Sequence, residues 1–194
     1  MPDYNLYISL GRITRMSSIN PIVQVAQQML LGGAVKQNHA LEHATIVLLS
    51  RKYPDVHLAG ISFAAGFFVF GDLPTETILP TAQEALTLLR TTSPELAIHE
   101  RCGTNLAVSA MLTGLSAMLV ARMRRPYGTA NNVILATMAS MILARPLGLE
   151  VQRHFTTQTP SASMTITGVR PLTIFGTPAH FVSTDNPEAS GLFS

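Results

Sequence analysis

Two long uncharged segments, separated by a short basic turn, dominate the charge pattern of this chain. Residues 103–121 read GTNLAVSAMLTGLSAMLVA and residues 129–144 read TANNVILATMASMILA, and neither segment has a charged side chain. The turn and the end of the second segment are marked by four arginines: Arg122, Arg124, Arg125 and Arg145. A helix that crosses a bilayer needs about 20 apolar residues, with a range of about 17–25. The pattern therefore predicts a two-helix hairpin over 103–145 that spans a membrane or is embedded in it.

A buried helical hairpin in a soluble bundle is the alternative interpretation of these segments. Only 12% of the residues are charged, whereas a soluble domain has about 25%. The bordering arginines suit a membrane–water interface, and the Gly, Ala and Ser residues of both segments permit close helix contact in a bilayer. These observations favour the membrane, so we expect the lipid bilayer as a partner.

Composition also excludes several classes of protein. A hydrophobic fraction of 47% excludes a disordered chain, which would be polar and highly charged. A formal net charge of only +2 does not provide the basic face of a nucleic-acid-binding protein, so we expect no nucleic acid as a partner. The single cysteine, Cys102, excludes a disulfide within the chain. A homo-oligomer is compatible with all of these observations.

Two sequence signals indicate on which side of the membrane the regions outside the hairpin lie. The first residues, MPDYNLYISLGRITR, lack the order of a signal peptide, so we expect no export by that route. The positive-inside rule, in contrast, places the arginine turn in the cytoplasm and both flanking regions outside. A hairpin that enters the bilayer without crossing it would satisfy both signals. The side is left open here, with the cytoplasmic side preferred for the site.

The residues before the hairpin predict a small α+β unit over 34–102. Residues 34–52 predict a helix, and residues 75–91 predict a second, amphipathic helix. Between them, VHLAGISF at 56–63 and GFFVFG at 66–71 are rich in β-branched and aromatic residues, which is typical of a β-hairpin.

Two further segments complete the predicted organisation. Residues 1–33 contain a short amphipathic run at 22–31, and residues 146–194 form a β segment with a mobile tail. Strands are predicted in that last segment at 163–168, 172–175 and 179–184. The expected fold is α+β: a helix/β-hairpin/helix unit joined to a two-helix membrane hairpin and followed by a short C-terminal β segment.

The sharpest motif is His39-Ala-Leu-Glu42-His43, an H-x-x-E-H pattern in the first predicted helix. The two histidines are one turn apart on one face, so both imidazoles can reach one metal ion. Glu42 lies on the same side, where it can accept a proton from a metal-bound water. The stripe continues to the apolar Ile46 and Leu49, which indicates a buried face. A hydrogen-bonded core cluster without metal is the alternative.

A catalytic zinc site needs a third protein ligand. The motif His99-Glu-Arg-Cys-Gly-Thr-Asn105, directly before the hairpin, offers three candidates within four residues. We favour His99, because neutral imidazole suits zinc and similar metals. The other candidates are Glu84, Glu100, Cys102 and His180. A capped helix entry at a membrane interface is the metal-free interpretation of this motif.

Four segments of the chain are distinctive in combination: NHALEHAT from Asn38, GFFVFGDLPTE from Gly66, His99-x-x-Cys-Gly-Thr-Asn, and His180-Phe-Val. Together, over about residues 36–184, they resemble an uncharacterised membrane-protein family of cyanobacteria and other photosynthetic bacteria. The resemblance implies a cytoplasmic or photosynthetic membrane as the location, and it supports His99 as part of the pattern. It implies no particular reaction.

The H-x-x-E-H motif by itself is similar to that of the pitrilysin-type metallopeptidases. This similarity covers five residues and implies a zinc ion and peptide hydrolysis. Those enzymes take a downstream glutamate as the third ligand, and the nearest counterpart here would be Glu84 or Glu100, at a different spacing.

The resulting hypothesis is a membrane-anchored, metal-dependent hydrolase, specifically a zinc metallopeptidase that acts on membrane proteins or lipophilic molecules. Glu42 would be catalytic, and His39, His43 and His99 would bind the metal. The alternative is a non-enzymatic metal- or tetrapyrrole-binding assembly factor of a photosynthetic membrane, in which methionines of the hairpin would line the macrocycle. A third hypothesis is an oligomerising membrane protein without metal.

Overall fold

The computed structural model describes residues 32–123 and 129–187. Within these ranges the helices are α1 (Gly33–Lys52), α2 (Thr75–Thr91), α3 (Gly103–Arg122) and α4 (Thr129–Val151). The strands are β1 (Ala59–Phe63), β2 (Gly66–Phe70), β3 (Thr165–Ile174) and β4 (Thr177–Asp185). A 3₁₀ turn at Pro94–Ala97 precedes α3, and a π-helical turn at Gln152–Thr156 follows α4. The predicted amphipathic run at 22–31 and most of the arginine turn lie outside the described residues.

Helix α1 is the centre of the α+β unit. It contacts α2, the first two strands, and both short helical turns. Leu41, Ala44 and Leu49 are fully buried, and a helix that is buried on most of its circumference has little need of a polar face. The helix ends before Tyr53-Pro54, where proline disfavours helical geometry in the residue that precedes it. The predicted helix at 34–52 is confirmed, with a start one residue earlier.

The second helix of the unit packs beside the first. Helix α2 has the predicted bounds and buries Ile78, Ala85 and Leu89 in the same core cluster as Leu41 and Leu49 of α1. The opposite face of α2 is polar and exposed, which is the expected pattern for a helix that covers a core on one side.

All four strands form one antiparallel sheet in the order β1-β2-β4-β3. The predicted hairpin is confirmed, although β1 begins at Ala59 and is shorter than the predicted strand at 56–63. Phe67, Val69 and Val182 are fully buried on the face that packs into the core with the helices. The sheet therefore places the C-terminal β4 next to β2, close to α1.

The C-terminal β segment differs from the prediction. Separate strands at 163–168 and 172–175 are wrong, because Thr165–Ile174 is one strand that pairs with β4 along its length. Strand β3 is at the edge of the sheet and contains Pro171. An edge position tolerates proline, because its missing N–H would face away from the neighbouring strand. The short segments seen in the sequence are therefore parts of one strand.

Helices α3 and α4 pack against each other and form the predicted apolar hairpin. Both are long and apolar enough to cross a membrane by length and composition, and their apolar windows are 0% and 17% buried. Leu106 and Ile142, for example, are each 74% exposed. The core helix of a soluble protein would be mostly buried. The exposure of these helices suggests membrane association.

A buried amide joins the base of the hairpin to the α+β unit. Gln152 is fully buried; its Oε1 accepts a hydrogen bond from the His99 N–H at 2.9 Å, and its Nε2 donates to Asn105 Oδ1 at 2.8 Å. Gly148 of α4 allows close approach, because a Cβ there would collide with the Asn105 side chain. The start of α3, the segment just before it and the end of α4 are thereby fixed next to one another.

Candidate metal centre

Two imidazole rings of α1 are held by backbone carbonyls near the base of the hairpin. His39 Nδ1 lies 2.9 Å from the carbonyl oxygen of Thr156, and His43 Nδ1 lies 2.7 Å from that of Ala97. A carbonyl oxygen only accepts hydrogen bonds, so Nδ1 of each ring carries the proton and donates it. In the neutral rings Nε2 therefore keeps its lone pair and is the nitrogen able to bind a metal.

The thiol of Cys102 reaches the same place from the N-terminus of α3. Its sulfur lies 3.3 Å from His39 Nε2, and it accepts a hydrogen bond from the Thr104 N–H as the N-cap of the helix. Burial acts to raise the pKa of the Cys102 thiol, but the hydrogen bond and charge that His43 supplies in its protonated form, together with the bonds from Thr104, outweigh it and lower the pKa. A thiol with a lowered pKa is converted to the metal-binding thiolate more readily.

These three side chains form a compact group of metal-ligand atoms. The ligand atoms of His39, His43 and Cys102 all lie within 4.8 Å of one another. Metal-binding histidines commonly donate their second ring N–H to a backbone carbonyl or carboxylate, as both histidines do here. Two imidazoles and a thiolate suit zinc and related metals, and three protein ligands leave a fourth position for water or substrate.

Glu42 is buried between α1 and strand β1. Its carboxylate accepts a hydrogen bond from the Ser62 hydroxyl, and it occupies the space that a Cβ on Gly60 would need. Burial raises the pKa of Glu42, and this effect exceeds the lowering caused by the neighbouring His39 and by the Ser62 hydrogen bond. A carboxylate with a raised pKa is a better proton acceptor than an exposed one.

His99 lies beside the group and is not one of its three members. Its ring centroid is 5.7 Å from that of His43, and the side chain is half-buried. Burial lowers the pKa of His99, the charges of His43 and Arg101 lower it further, and Glu100 opposes them. The role of His99 as a metal ligand stays a prediction; in the structure Cys102 occupies the third place beside the two histidines.

The remaining candidates have other partners. Glu84 pairs with Lys52 at 2.9 Å, and Glu100 pairs with Arg145 at 2.5 Å. His180 is buried on β4, where its Nε2 lies 3.0 Å from Thr75 Oγ1. None of these three side chains belongs to the group formed by His39, His43 and Cys102.

The sequence pattern favoured His99 over Cys102, and it did not indicate the two carbonyls. A lone cysteine is more often a small buried residue than a ligand. The usable signal is its position before Gly103 at the start of a long helix, where backbone N–H groups stabilise a thiolate. No sequence signal identifies the carbonyl of Thr156, which is 117 residues from His39.

Comparison with known proteins gives a family without a described activity. The chain is 32% identical, over 162 aligned residues, to an uncharacterized protein of the cyanobacterium Picosynechococcus sp. PCC 7002. The aligned region covers 76% of this chain and 78% of that protein. No solved structure gives a significant match to the chain. Residues 34–169, which include His39, His43 and Cys102, match the model of the family described as Domain of unknown function (DUF6391). The chain therefore belongs to the DUF6391 family.

Proposed function

We propose that this protein is a membrane-associated, metal-dependent hydrolase whose metal ion is bound by His39, His43 and Cys102. The observation that carries the proposal is the anchoring of both histidines through Nδ1, which leaves both Nε2 atoms for a metal shared with the Cys102 sulfur. The Cys102 sulfur lies 3.3 Å from His39 Nε2, so without a metal the thiol can donate a hydrogen bond to this nitrogen. A bound metal ion would replace that hydrogen bond by bonds to both imidazoles and to the thiolate.

Zinc is the ion that we propose. Zinc accepts nitrogen and sulfur ligands together, and its catalytic sites have three protein ligands and one open position. A zinc ion at this place would lower the pKa of a bound water and polarise the bond to be cleaved. The chain itself would supply the geometry, because Ala97 and Thr156 fix the two rings and Thr104 orients the thiol.

Glu42 is the general base in this proposal. It lies next to His43 in sequence and is close enough to His39 for the charge of that ring to affect its pKa. Ser62 holds the carboxylate in one orientation. The H-x-x-E-H spacing that it shares with zinc peptidases makes an amide bond the reaction centre that we propose.

Metal content tests the ligand set. We expect the full-length protein, purified in detergent and analysed by elemental mass spectrometry, to contain about one equivalent of zinc. The substitutions His39→Ala and Cys102→Ala should each reduce this content to less than half. The control His57→Ala, at an exposed residue in the loop between α1 and β1, should not change it. Retention of metal by Cys102→Ala together with its loss in His99→Ala would replace Cys102 by His99 as the third ligand. Absence of metal from the wild-type protein, with none rebinding, would contradict the proposal.

The role of Glu42 is tested separately from metal binding. We expect Glu42→Gln to keep the metal and to lose hydrolysis of peptide substrates by about 100-fold or more, because the amide cannot accept the proton. Equal activity of this variant and the wild type would exclude Glu42 as the base. A metal-loaded wild type that cleaves no peptide would favour a metal-binding assembly factor, and a visible absorption band would favour the tetrapyrrole alternative.

A further inference from the structure

A groove opens from the candidate metal centre toward the two apolar helices. It has a volume of about 390 Å³ and lies between the start of α3 and the end of α4. Cys102 belongs both to its lining and to the group of metal-ligand atoms, so the groove borders the candidate metal centre at this residue. Its volume is within the range of pockets that bind small molecules, about 300–1,000 Å³.

The groove lining has one cationic end and one apolar side. Arg101 and Arg145 contribute two positive charges, and Glu100 contributes one negative charge that is already paired with Arg145. Among the residues that the structure describes, Arg101 makes no ion pair. Leu106 and Met141 line the apolar side and are 74% and 62% exposed, which is the expected environment for contact with an acyl chain.

We propose that the groove binds an anionic amphiphile, a molecule with an apolar chain next to a carboxylate or phosphate group. Arg101 would bind the anionic group by charge-assisted hydrogen bonds, and the chain would lie between α3 and α4. This inference rests on the proposed function in one respect: in a ligand bound in this way, an amide bond close to the anionic group would lie near the metal site at Cys102. The substrate class of the hydrolase would then be lipid-like, and the substrate would enter from the side of the hairpin.

Binding is measured on the full chain in phosphatidylcholine nanodiscs, with radiolabelled ligands and empty nanodiscs as the blank. The probes are dodecanoate and dodecyl phosphate, with dodecanol as the uncharged chain and acetate as the charge without a chain. We expect the anionic amphiphiles to bind at least about tenfold more tightly than dodecanol, because a hydrogen bond to a charged group is worth that ratio or more. Stronger binding of one anion than of the other identifies carboxylate or phosphate as the natural group. Equal binding of dodecanol and both anions would overturn the proposal.

Matched variants locate the site. Arg101→Gln should reduce the affinity for the anionic probes to that for dodecanol, and Met141→Trp should block the chain and weaken all dodecyl probes by about tenfold. The controls are Arg122→Gln, at the far end of α3, and Met138→Trp, at a residue of α4 that is 57% exposed and does not line the groove. Both controls should bind like the wild type. A control that weakens binding as much as its partner variant would show adsorption to the hairpin surface and would overturn the proposal.

Metal content of the same samples keeps the two proposals apart. His39→Ala should lose the metal and still bind dodecanoate, since His39 does not line the groove. Dodecanoate binding by a wild-type protein that holds no metal would refute the proposed function and leave the groove assignment standing. Metal without dodecanoate binding would refute only the groove assignment. In cobalt-substituted protein, a change of the visible spectrum on addition of dodecanoate would support contact between groove and metal, and an unchanged spectrum would contradict it.

Discussion

Among single residues, three polar groups of the site are held by backbone carbonyls and by a neighbouring hydroxyl. The protonated nitrogens of His39 and His43 are fixed by carbonyls, and the carboxylate of Glu42 is fixed by Ser62 and by the absence of a side chain at Gly60. A buried carboxylate is costly unless it is hydrogen-bonded. The contacts of Glu42 therefore limit which residue types can occupy the neighbouring positions.

The space at Gly60 is the first test at this scale. We expect Gly60→Ala to lower the free energy of unfolding by about 1–3 kcal/mol, because the new methyl group would overlap with the Glu42 carboxylate. The measurement is thermal or denaturant unfolding of the purified protein. The control is Gly168→Ala, in β3, where a Cβ meets nothing within 4 Å. Equal stability of both variants would show that Glu42 moves away at little cost.

His180 predicts how stability depends on pH. Burial lowers the pKa of His180 in the folded protein, and its Nδ1 makes no hydrogen bond within the described structure. The unfolded chain therefore takes up a proton below about pH 6.5 that the folded chain resists. Stability is unaffected by this group above that pH, and it falls with decreasing pH by at most about 1.4 kcal/mol per pH unit until the folded pKa is reached.

Unfolding measured from pH 8 to pH 5 in wild type and His180→Gln isolates this contribution, since other groups titrate in both proteins. We expect a shallower loss of stability below about pH 6.5 in the variant. His57→Gln, at an exposed histidine, should keep the wild-type slope. Parallel curves for wild type and His180→Gln would disprove the assignment.

At the scale of elements, the hairpin and the α+β unit meet through a small number of polar contacts. The Gln152 amide bridges the segment before α3 and the first turn of α3 itself, and the Thr156 carbonyl reaches back to α1. Hydrophobic packing contributes little to this junction, since α3 has no buried residue along its length. The orientation of the hairpin relative to α1 should therefore depend strongly on Gln152.

The substitution Gln152→Ala tests this dependence. It would leave the His99 N–H and Asn105 Oδ1 without their buried partner, and we expect a loss of about 1–3 kcal/mol in the free energy of unfolding. Gln158→Ala, at an exposed glutamine six residues along the chain, is the matched control and should be close to neutral. A neutral Gln152→Ala would mean that water replaces both hydrogen bonds.

At the scale of the whole molecule, the proposed metal would connect parts that otherwise touch at few points. Two ligands are on α1, the central helix of the α+β unit, and the third is the N-cap of α3. A ligand that binds only the folded protein stabilises it by an amount that grows with the logarithm of the ligand concentration relative to the dissociation constant, about 2.7 kcal/mol at a hundredfold excess. Metal binding would therefore hold the hairpin on the unit.

Removal of the metal should consequently loosen the junction. We expect chelator treatment to increase hydrogen exchange around residues 97–105 and 152–158 and to lower the melting temperature, with recovery when zinc is added. With or without added zinc, His39→Ala should have the hydrogen exchange and melting temperature of the chelator-treated wild type. His57→Ala should respond to chelator and zinc like the wild type. Unchanged exchange after complete removal of zinc would argue against a metal that bridges these elements.

Local sequence patterns were enough to predict which segments form which elements. Uncharged runs bounded by arginines, helical periodicity and β-rich pairs are local patterns, and each of them predicted an element that the structure contains, from α1 and the β1–β2 hairpin to α3 and α4. One prediction from a local pattern was wrong: the separate strands at 163–168 and 172–175 are parts of one strand that contains Pro171. Proline is tolerated there because the strand is at the edge of the sheet, where the N–H that proline lacks is not needed for pairing. The inward direction of Glu42 and His43 was also predictable, since the same stripe leads to Leu49, and all three are buried.

Which side chains meet at the site depends on how distant segments pack together. His39 and His43 are neighbours because one helical turn separates them, and any helix would bring them together. Cys102 joins them because α3 starts beside α1, and the carbonyls of Ala97 and Thr156 reach the rings because two short helical turns pack against the same helix. These contacts span 54 to 117 residues of chain. No local periodicity encodes them, because they depend on how the whole core packs.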